Sequence, residues 1–307
     1  MNLNNIEKII FYNHFHNGDI HLSRNFVKFI INQVKFINKN IQFFYYHPNH
    51  PYLLDDIKGL SHIGFVDKDQ WQDYGIDGNV IYINTWYAIK HFEYMNKYGM
   101  TFDCLYSVFD QVCKNIFEFS LPQNIESLFP SIDYSKFEID KAKQFVDSAT
   151  HPLVLICNGQ ALSGQATNFS LGNSILSLAN KYHGISFILT NKEDLPEKGN
   201  IFYSSDIIGK NSCDLNENSY LSTYCDLIVV RSSGVHTFAL VQENLFKRSI
   251  PIISFSNLSY PQGSFWLGEL FKDKVIYKSN IVNYDIGDAE IASKIIELYL
   301  LEICNGK

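Results

Sequence analysis

The chain has 307 residues, of which 46% are hydrophobic and 19% are charged. This length favours two domains, and a chain of this size buries roughly three quarters of its unfolded surface without a disulfide or a metal. The composition excludes a disordered chain. The formal net charge is -7, so no basic field attracts a nucleic-acid backbone. A strongly anionic ligand has to be held by local donors.

The sequence also argues against a membrane span and a secretory leader. Apolar runs such as 153–157 and 227–230 are far shorter than the roughly 18–20 residues that a span requires. The first eight residues contain no long apolar core and no small-residue cleavage site. The six cysteines include no Cys-x-x-Cys pair, which favours reduced and mostly buried thiols. We therefore expect a cytoplasmic protein.

Strands and helices alternate through the first half of the chain. Short apolar runs indicate strands, and the spacing of apolar residues over longer stretches indicates helices with one buried face. The predicted strands are 9–12, 41–46, 62–66 and 80–83. The predicted helices are 21–38, 86–98 and 104–117. This alternation is typical of right-handed βαβ units in an open parallel sheet.

A polar stretch with two prolines interrupts this pattern, and we interpret 121–135 as a linker. The alternation then restarts. The predicted strands are 152–157, 185–190, 227–230 and 251–254. The predicted helices are 136–148, 171–182, 219–224, 234–243 and 289–303. The sequence thus predicts two doubly wound α/β domains, 1–120 and 136–288, followed by a C-terminal helix in 289–307.

The first candidate site is the turn Asn17-Gly18-Asp19, which follows the first predicted strand. In open α/β sheets, ligands bind beyond the carboxyl ends of strands, where such turns lie. Gly18 permits a sharp turn or the close approach of a ligand. Asp19 is a candidate general base. The alternative is that Asp19 caps the following helix, and capping does not exclude a functional role.

Three histidines, His14, His16 and His21, crowd the same turn. Strand spacing places His14 and His16 on one side, which invites a metal hypothesis. No carboxylate or cysteine stands at a recognised ligand spacing, so we predict no metal. Substrate contact and local hydrogen bonds are the alternatives for these side chains.

Two loops of the second half are candidates for an anion site. The segment 157–165 has two glycines and small polar residues, so its backbone amides can approach an anion closely. The segment 230–237 runs from a strand into a helix, where Ser232 or Ser233 can cap and Gly234 exposes amides at the positive helix end. Arg231 or His236 can supply charge or donors to a leaving group. The alternatives are a plain flexible loop and an ordinary capped helix with Arg231 in a salt bridge.

At these residues the chain resembles the GT-B glycosyltransferases, and most of all the ADP-heptose lipopolysaccharide heptosyltransferases. In the first half it has their Gly-Asp turn before a helix, here Gly18-Asp19-Ile20-His21-Leu22. In the second half it has an acidic-apolar strand at 225–230, the turn Ser233-Gly234 and then Ala239. It departs from the family in placing His236 one position early. It also lacks the basic residue that often follows the first strand of the second half.

The resemblance implies a glycosyltransferase with two Rossmann-like domains that face across a cleft. It implies a nucleotide-sugar donor on the second domain, a glycan or glycolipid acceptor on the first, and neither a metal nor another cofactor. Asp19 becomes the base of an inverting transfer. The acceptor contacts become His14, His16, Gly18, His21 and Arg24. The donor contacts become Asn158, Gly159, Gln160, Ser163, Gly164, Arg231, Ser232, Ser233, Gly234, His236 and Thr237.

The resemblance also bears on the last helix and on localisation. In GT-B chains the final helix often crosses back to pack on the first domain, which we expect of 289–307. A lipid-linked acceptor would bring the protein into peripheral contact with the inner face of a membrane, although its net charge opposes strong attraction to anionic lipid. The implied role is in cell-surface polysaccharide or lipopolysaccharide biosynthesis.

Two other hypotheses stay open. The first is a sugar-nucleotide epimerase or hydrolase of the same architecture. Such an enzyme should have more acid and base residues on the donor loops than this sequence contains. A non-catalytic binding protein with a degenerate cleft is the other. The aromatic content of 15% suits that hypothesis, although buried strands account for most of it. Binding of nucleotide sugars without turnover would favour it.

Overall fold

The computed structural model describes residues 3–69, 71–86, 101–162, 164–209, 213–257, 271 and 273–305. The chain divides into two compact units. The first consists of Met1–Lys136 and Phe265–Ile276, and the second of Phe137–Ser264 and Tyr277–Lys307. Each unit is built on its own sheet with helices, which confirms the predicted class of two α/β domains.

The first unit has a five-stranded sheet. Its described strands and helices are β1 (Lys8–Tyr12), α1 (Asn17–Ile37), β2 (Gln42–Tyr46), β3 (Leu60–His62), β4 (Tyr74–Asp77), β5 (Val80–Asn84) and α2 (Thr101–Val112). The strand order is β3-β2-β1-β5-β4, and every pair is parallel except β4 with β5. The prediction of a purely parallel sheet is therefore wrong at this edge. The two-residue connection Gly78-Asn79, with Gly78 at a φ of 59°, can only close an antiparallel hairpin.

The second unit has a six-stranded sheet in which every pair is parallel. Its strands are β6 (Leu153–Cys157), β7 (Ser186–Leu189), β8 (Ile201–Tyr203), β9 (Leu227–Arg231), β10 (Pro251–Phe255) and β11 (Asn280–Tyr284). Its described helices are α3 (Asp140–Ser148), α4 (Gly172–Lys181), α5 (Ser204–Ile208), α6 (Leu215–Ser222) and α7 (Ala289–Asn305). The order is β11-β10-β9-β6-β7-β8. The strands β6, β7 and β9 are buried along their whole length, as expected for a parallel sheet covered on both faces.

The segment 121–135, which we predicted to be a linker, packs on the first unit. Phe129 is fully buried, and its ring stacks on that of Phe102 with centroids 4.2 Å apart. The Asn25 side-chain amide donates to the Ser127 carbonyl at 2.8 Å. This stretch is mostly polar, which favoured the linker prediction. A few apolar residues within it pack on the first unit.

The buried face of the final helix, α7, lies in the core of the second unit. Its packing on the first unit stays a prediction. Ala292, Ile296 and Leu300 are fully buried and belong to the apolar core around β6 and β9. An earlier part of the chain belongs to the first unit instead. The Phe271 ring lies 4.7 Å from that of Tyr106.

Some predicted boundaries also change. The helix α1 begins at Asn17, four residues before the predicted start. The predicted helix 234–243 is a 3-10 turn, His236–Ala239, and a π-helical turn follows at Glu243–Lys247. The predicted helix 86–98 lies almost wholly outside the described residues. No helix in the described part of the chain is long and apolar enough to cross a bilayer.

Candidate functional site

In the first unit, the strand order changes direction between β1 and β5. Such a switch point opens a crevice at the carboxyl ends of the two strands, where ligands of open α/β sheets bind. The chain segments that leave the two strands lie together there. The Thr85 amide donates to the Tyr12 carbonyl at 2.9 Å. The rings of Phe15 and Trp86 are 4.2 Å apart.

Asp19 lies in the first turn of α1, beside this switch point. The N-cap residue is His16, which makes no side-chain cap hydrogen bond, and the Asp19 amide donates to the His16 carbonyl at 3.2 Å. Asp19 is therefore not the capping residue, contrary to the alternative that we considered. The residue is 8% exposed. Burial raises the pKa of Tyr45, and the nearby charge of Asp19 raises that pKa further. The carboxylate thus lies near the Tyr45 phenol.

The first two histidines of the turn lie at the carboxyl end of the sheet. The His14 Nε2 is 3.2 Å from the Lys68 carbonyl oxygen. Its ring centroid is 5.5 Å from that of Tyr12 and 5.4 Å from that of Tyr46. His16 is exposed at the start of α1. Both stay candidates for contact with an acceptor, as predicted.

The predicted acceptor residues farther along α1 are enclosed by the first unit. His21 and Arg24 are both completely buried. The Arg24 guanidinium forms an ion pair with Asp56 and donates to the Leu53 carbonyl at 2.7 Å. An arginine held in this way braces the loop after β2 and is not presented to a ligand. These two assignments made from the sequence are corrected accordingly.

A second pair of histidines, His47 and His50, lies at this edge and was not predicted from the sequence. Their ring centroids are 5.9 Å apart. His47 Nδ1 accepts from the His50 amide at 2.9 Å, and Nε2 lies 3.4 Å from the Phe15 carbonyl oxygen. Burial lowers the pKa of His47 to about 4, so the ring is neutral at pH 7. The available signal was their position directly after a buried strand.

In the second unit, the corresponding switch point lies between β6 and β9. The loops that follow these strands approach each other closely at Gly159. A side chain on Gly159 would have its Cβ 3.1 Å from Asn191 Oδ1 and 3.2 Å from a methyl group of Val235. Glycine at this position therefore allows the two loops to meet.

Two of the predicted donor residues hold these loops in place. The Asn158 side-chain amide donates to the Asn191 carbonyl at 3.0 Å and to Glu193 Oε1 at 2.8 Å. The Arg231 guanidinium donates to the Asn158 carbonyl at 3.0 Å and also to the Phe169 carbonyl. Both residues are buried. Their observed contacts are with the protein, so Arg231 acts as a brace between loops and not in the salt bridge that we considered.

The N-terminus of α4 carries an internal carboxylate, which sequence analysis missed. Glu193 Oε2 accepts from the Gly172 amide at 2.8 Å and from Ser170 Oγ at 2.6 Å. Helix N-termini favour anions because their amides and dipole present positive charge. In this protein Glu193 meets that need itself, so the start of α4 is not available to a phosphate.

The turn after β9 contains two buried serine hydroxyls. Ser232 and Ser233 are 1% and 2% exposed, and within the described residues neither Oγ has a hydrogen-bond partner. They do not cap a helix, because the following 3-10 turn has no side-chain cap. Gly234 next to them is exposed. Thr237 Oγ1 donates back to the Gly234 carbonyl at 2.7 Å.

His236 closes this turn as a neutral ring. Its Nδ1 lies 2.7 Å from the Ser233 amide nitrogen and also contacts the Ser233 carbonyl oxygen, and the residue is 5% exposed. Burial lowers the pKa of His236 to about 4. The imidazole therefore carries no charge at pH 7, which leaves hydrogen bonding as the role of His236 as a predicted donor contact.

The remaining predicted donor residues lie in the loop after β6. Gln160 and Gly164 are exposed, and Ser163 lies outside the described residues. The Asn168 side chain closes the loop through two hydrogen bonds of 2.9 Å with the Ala161 backbone. Within the described ranges, no three His, Cys, Asp or Glu side chains are grouped so that they could hold a metal ion.

Known proteins of similar fold identify the architecture. No protein-family model matches the sequence, and no curated protein is significantly similar to it. The chain resembles E. coli ADP-heptose lps heptosyltransferase II at a TM-score of 0.50 and 13% identity, over 97% of this chain and 99% of that one. It resembles E. coli heptosyltransferase WaaC with ADP at a TM-score of 0.50 and 10% identity, over 95% and 99% of the two chains. At these identities the likeness establishes the fold. The chain has the GT-B, heptosyltransferase-like fold that its sequence predicted.

Proposed function

We propose that this protein is a glycosyltransferase that moves a sugar from a nucleotide-diphosphate donor to a hydroxyl of a glycan or glycolipid. The proposal rests on the fold and on one feature of the second unit, the pair of buried serine hydroxyls at its switch point. A buried hydroxyl without a partner is unfavourable by about 1–3 kcal/mol, so such a pair is best explained by a ligand that supplies acceptors. Phosphate oxygens are strong acceptors for hydroxyls and backbone amides.

We infer the position of the donor diphosphate by comparing the polar groups of the second unit. The start of α4 is taken by Glu193, and Arg231 is engaged with loop carbonyls. The hydroxyls of Ser232 and Ser233, with the exposed backbone of Gly234, are then the best donor set at the switch point. We assign the diphosphate to this turn. The two solved structures named above bind ADP or use ADP-heptose, which supports a nucleotide sugar as the donor class.

The proposed chemistry is a direct displacement without a metal. Asp19 takes the proton of the acceptor hydroxyl, whose oxygen attacks the anomeric carbon of the donor sugar. The bond between that carbon and the diphosphate oxygen breaks, and the nucleoside diphosphate leaves with the electron pair. Donors aimed at the developing charge stabilise such a transition state. The anomeric configuration inverts, because the nucleophile enters opposite the leaving group.

The localisation proposal follows from this chemistry. We propose that the enzyme acts in the cytoplasm, where nucleotide sugars are made. Contact with the inner face of a membrane would be peripheral and would come through a lipid-linked acceptor. Release of the protein from membranes by a high-salt wash is the expected result.

The serine pair supplies a test in which stability and binding move in opposite directions. Replacing Ser232 and Ser233 together by alanine removes two unsatisfied buried hydroxyls, so the free energy of unfolding should hold or rise by ~1 kcal/mol. Affinity for nucleoside diphosphates should fall at least ~10-fold, which corresponds to a loss of 1.4 kcal/mol. Thermal shift against a panel of nucleotides and nucleotide sugars measures both quantities.

Ser222→Ala is the matched control. This serine is fully buried in the same unit, but it donates to the Ser219 carbonyl at 2.6 Å and accepts from Asn244 at 2.7 Å. Its loss should lower stability and leave nucleotide affinity unchanged. Unchanged nucleotide affinity in the double serine variant would rule out the assigned diphosphate site.

A further inference from the structure

A row of six aromatic rings lies along the carboxyl end of the first unit's sheet. Neighbouring ring centroids are 4.2–6.5 Å apart. In order, the rings belong to Phe65, Tyr46, His14, Phe15, Trp86 and Trp71. We call this set the aromatic row. It passes over the switch point between β1 and β5, which is the favoured place for a ligand in an open α/β sheet.

The aromatic row is exposed at its ends and at its middle. The exposed fractions are 70% for Phe65, 42% for Trp71 and 39% for Phe15. Large aromatic side chains stabilise a fold mainly by being buried, so these contribute little to folding in this position. Exposed aromatic rings grouped in this way mark a site of interaction.

The charges around the aromatic row limit what can bind there. The segments that carry it are 12–19, 46–50, 63–73 and 84–86, and their sequence contains four aspartates but only one lysine and no arginine. That lysine, Lys68, is paired with Asp77 at 2.9 Å and lies over the Tyr82 ring. Within the described residues of these segments, an anionic ligand would meet like charge without an unpaired lysine or arginine to offset it. The surface therefore suits an uncharged ligand.

Polar groups beside the aromatic row require that the ligand can form hydrogen bonds. Asn13 is fully buried and its Oδ1 accepts from the Phe15 amide at 2.8 Å. Its Nδ2 has no hydrogen-bond partner within the described residues, and the same holds for the buried Oδ1 of Asn17. One is a donor and the other an acceptor. A hydroxyl group can serve both, because it donates one hydrogen bond and accepts two.

We propose that the aromatic row is the acceptor subsite and that it selects an uncharged sugar. The C–H face of a pyranose ring would lie on the indole rings of Trp71 and Trp86, and its hydroxyls would reach the two asparagines. A phosphorylated or carboxylated sugar would be disfavoured by the surrounding aspartates. This inference rests on the proposed transferase function and names the chemical class of its acceptor.

The test is a titration of the full chain with sugars in the presence of saturating nucleoside diphosphate. The probes are methyl β-D-galactopyranoside and methyl β-D-glucopyranoside as uncharged sugars, and glucuronate as an anionic one. Two of the three tryptophans of the chain, Trp71 and Trp86, belong to the aromatic row, so intrinsic fluorescence reports on it. We expect the uncharged glycosides to change the emission with saturation, and glucuronate to bind at least ~10-fold more weakly.

Trp71→Ala should weaken binding of the uncharged glycosides at least ~10-fold and leave nucleotide affinity unchanged. The matched control is Phe36→Ala, which removes an aromatic residue of the same unit that is 89% exposed and outside the aromatic row. It should change neither affinity. Preferred binding of glucuronate would overturn the acceptor class. Nucleotide binding with no response to any sugar would overturn the subsite and indicate a protein-docking surface, whereas loss of nucleotide binding itself would refute the proposed transferase function.

Discussion

Asp19 is the residue on which the proposed chemistry depends. It lies in the first turn of α1, near the positive end of that helix. Asp19→Asn keeps the shape of the side chain and removes the base. We expect sugar transfer to fall by about 10²–10⁴-fold, the usual contribution of a general base. The free energy of unfolding should change by only ~0.3–1 kcal/mol, the usual worth of a charge at this position.

A control at the same edge makes the comparison specific. Asp67→Asn removes an exposed carboxylate near the aromatic row that has no assigned part in proton transfer, and its transfer rate should stay within a few-fold of the parent. A rate for Asp19→Asn that also stays within a few-fold would show that Asp19 is not the base. The base would then have to be His14 or His16, since His21 is fully buried.

Two buried histidines predict how stability depends on pH. Burial lowers the pKa of His47 and of His236 to about 4, against about 6.5 in the unfolded chain. Below pH 6.5 the unfolded state binds protons that the folded state does not, so stability is fully present above that pH and is lost as the pH falls toward 4. Urea unfolding at pH 7.5, 6 and 5 should give a steadily falling free energy of unfolding.

A substitution identifies the source of this slope. His236→Gln removes one of the two groups and should flatten the dependence between pH 7.5 and 5. A stability that is constant or rising as the pH falls through this window would contradict the assignment of neutral, buried rings.

At the scale of elements, the start of α4 is a closely packed point of the second unit. A Cβ on Gly172 would collide with Glu193 Oε2, and it would lie 2.9 Å from a methyl group of Leu195. Gly172→Ala should therefore destabilise the protein by about 1–3 kcal/mol, the usual effect of overpacking. Chemical denaturation measures the change.

Gly184→Ala is the matched control for that substitution. It lies in the turn before β7, and a Cβ there meets no atom within 4 Å. We expect a change within ~0.5 kcal/mol, as for an ordinary surface site. Equal stability of the two variants would show that Glu193 does not occupy the start of α4.

The sequence predicted the elements that have strong apolar runs. The strands β1, β2, β6, β9 and β10 were placed within one or two residues, because a buried parallel strand is a short continuous apolar run. The edge strands β4, β8 and β11 were missed, because they are at most half buried and carry a weaker pattern. The hairpin to β4 did carry a signal, the dipeptide Asp77-Gly78.

The sequence predicted where the candidate sites lie, but it predicted the roles of the individual side chains less well. The loops after β1, β6 and β9 follow from topology, since ligands bind beyond the carboxyl ends of strands. Which polar side chains in them are available to a ligand depends on partners elsewhere in the chain. Arg24 pairs with Asp56 and Asn158 with Glu193, and no local pattern shows either pairing.

At the scale of the whole molecule, the sequence predicted two α/β halves, each made of one continuous segment of the chain. The first unit takes up 121–135 and a later segment around Phe271. A few buried aromatic residues hold these segments in the first unit. Such isolated residues form no periodic pattern from which the packing could be predicted. The final helix, by contrast, has a clear apolar stripe, but a stripe does not say which core it covers.

The central claim is that nucleotide sugars are turned over by transfer. The most direct measurement incubates the full chain with a panel of nucleotide sugars and the uncharged glycosides, and follows nucleoside diphosphate and glycosylated product by mass spectrometry. We predict that both products form in equal amounts, that their formation requires the glycoside, and that Asp19→Asn lowers both by about 10²–10⁴-fold. Release of sugar into water or its epimerisation without any need for acceptor, or tight nucleotide-sugar binding with no product, would contradict a transferase.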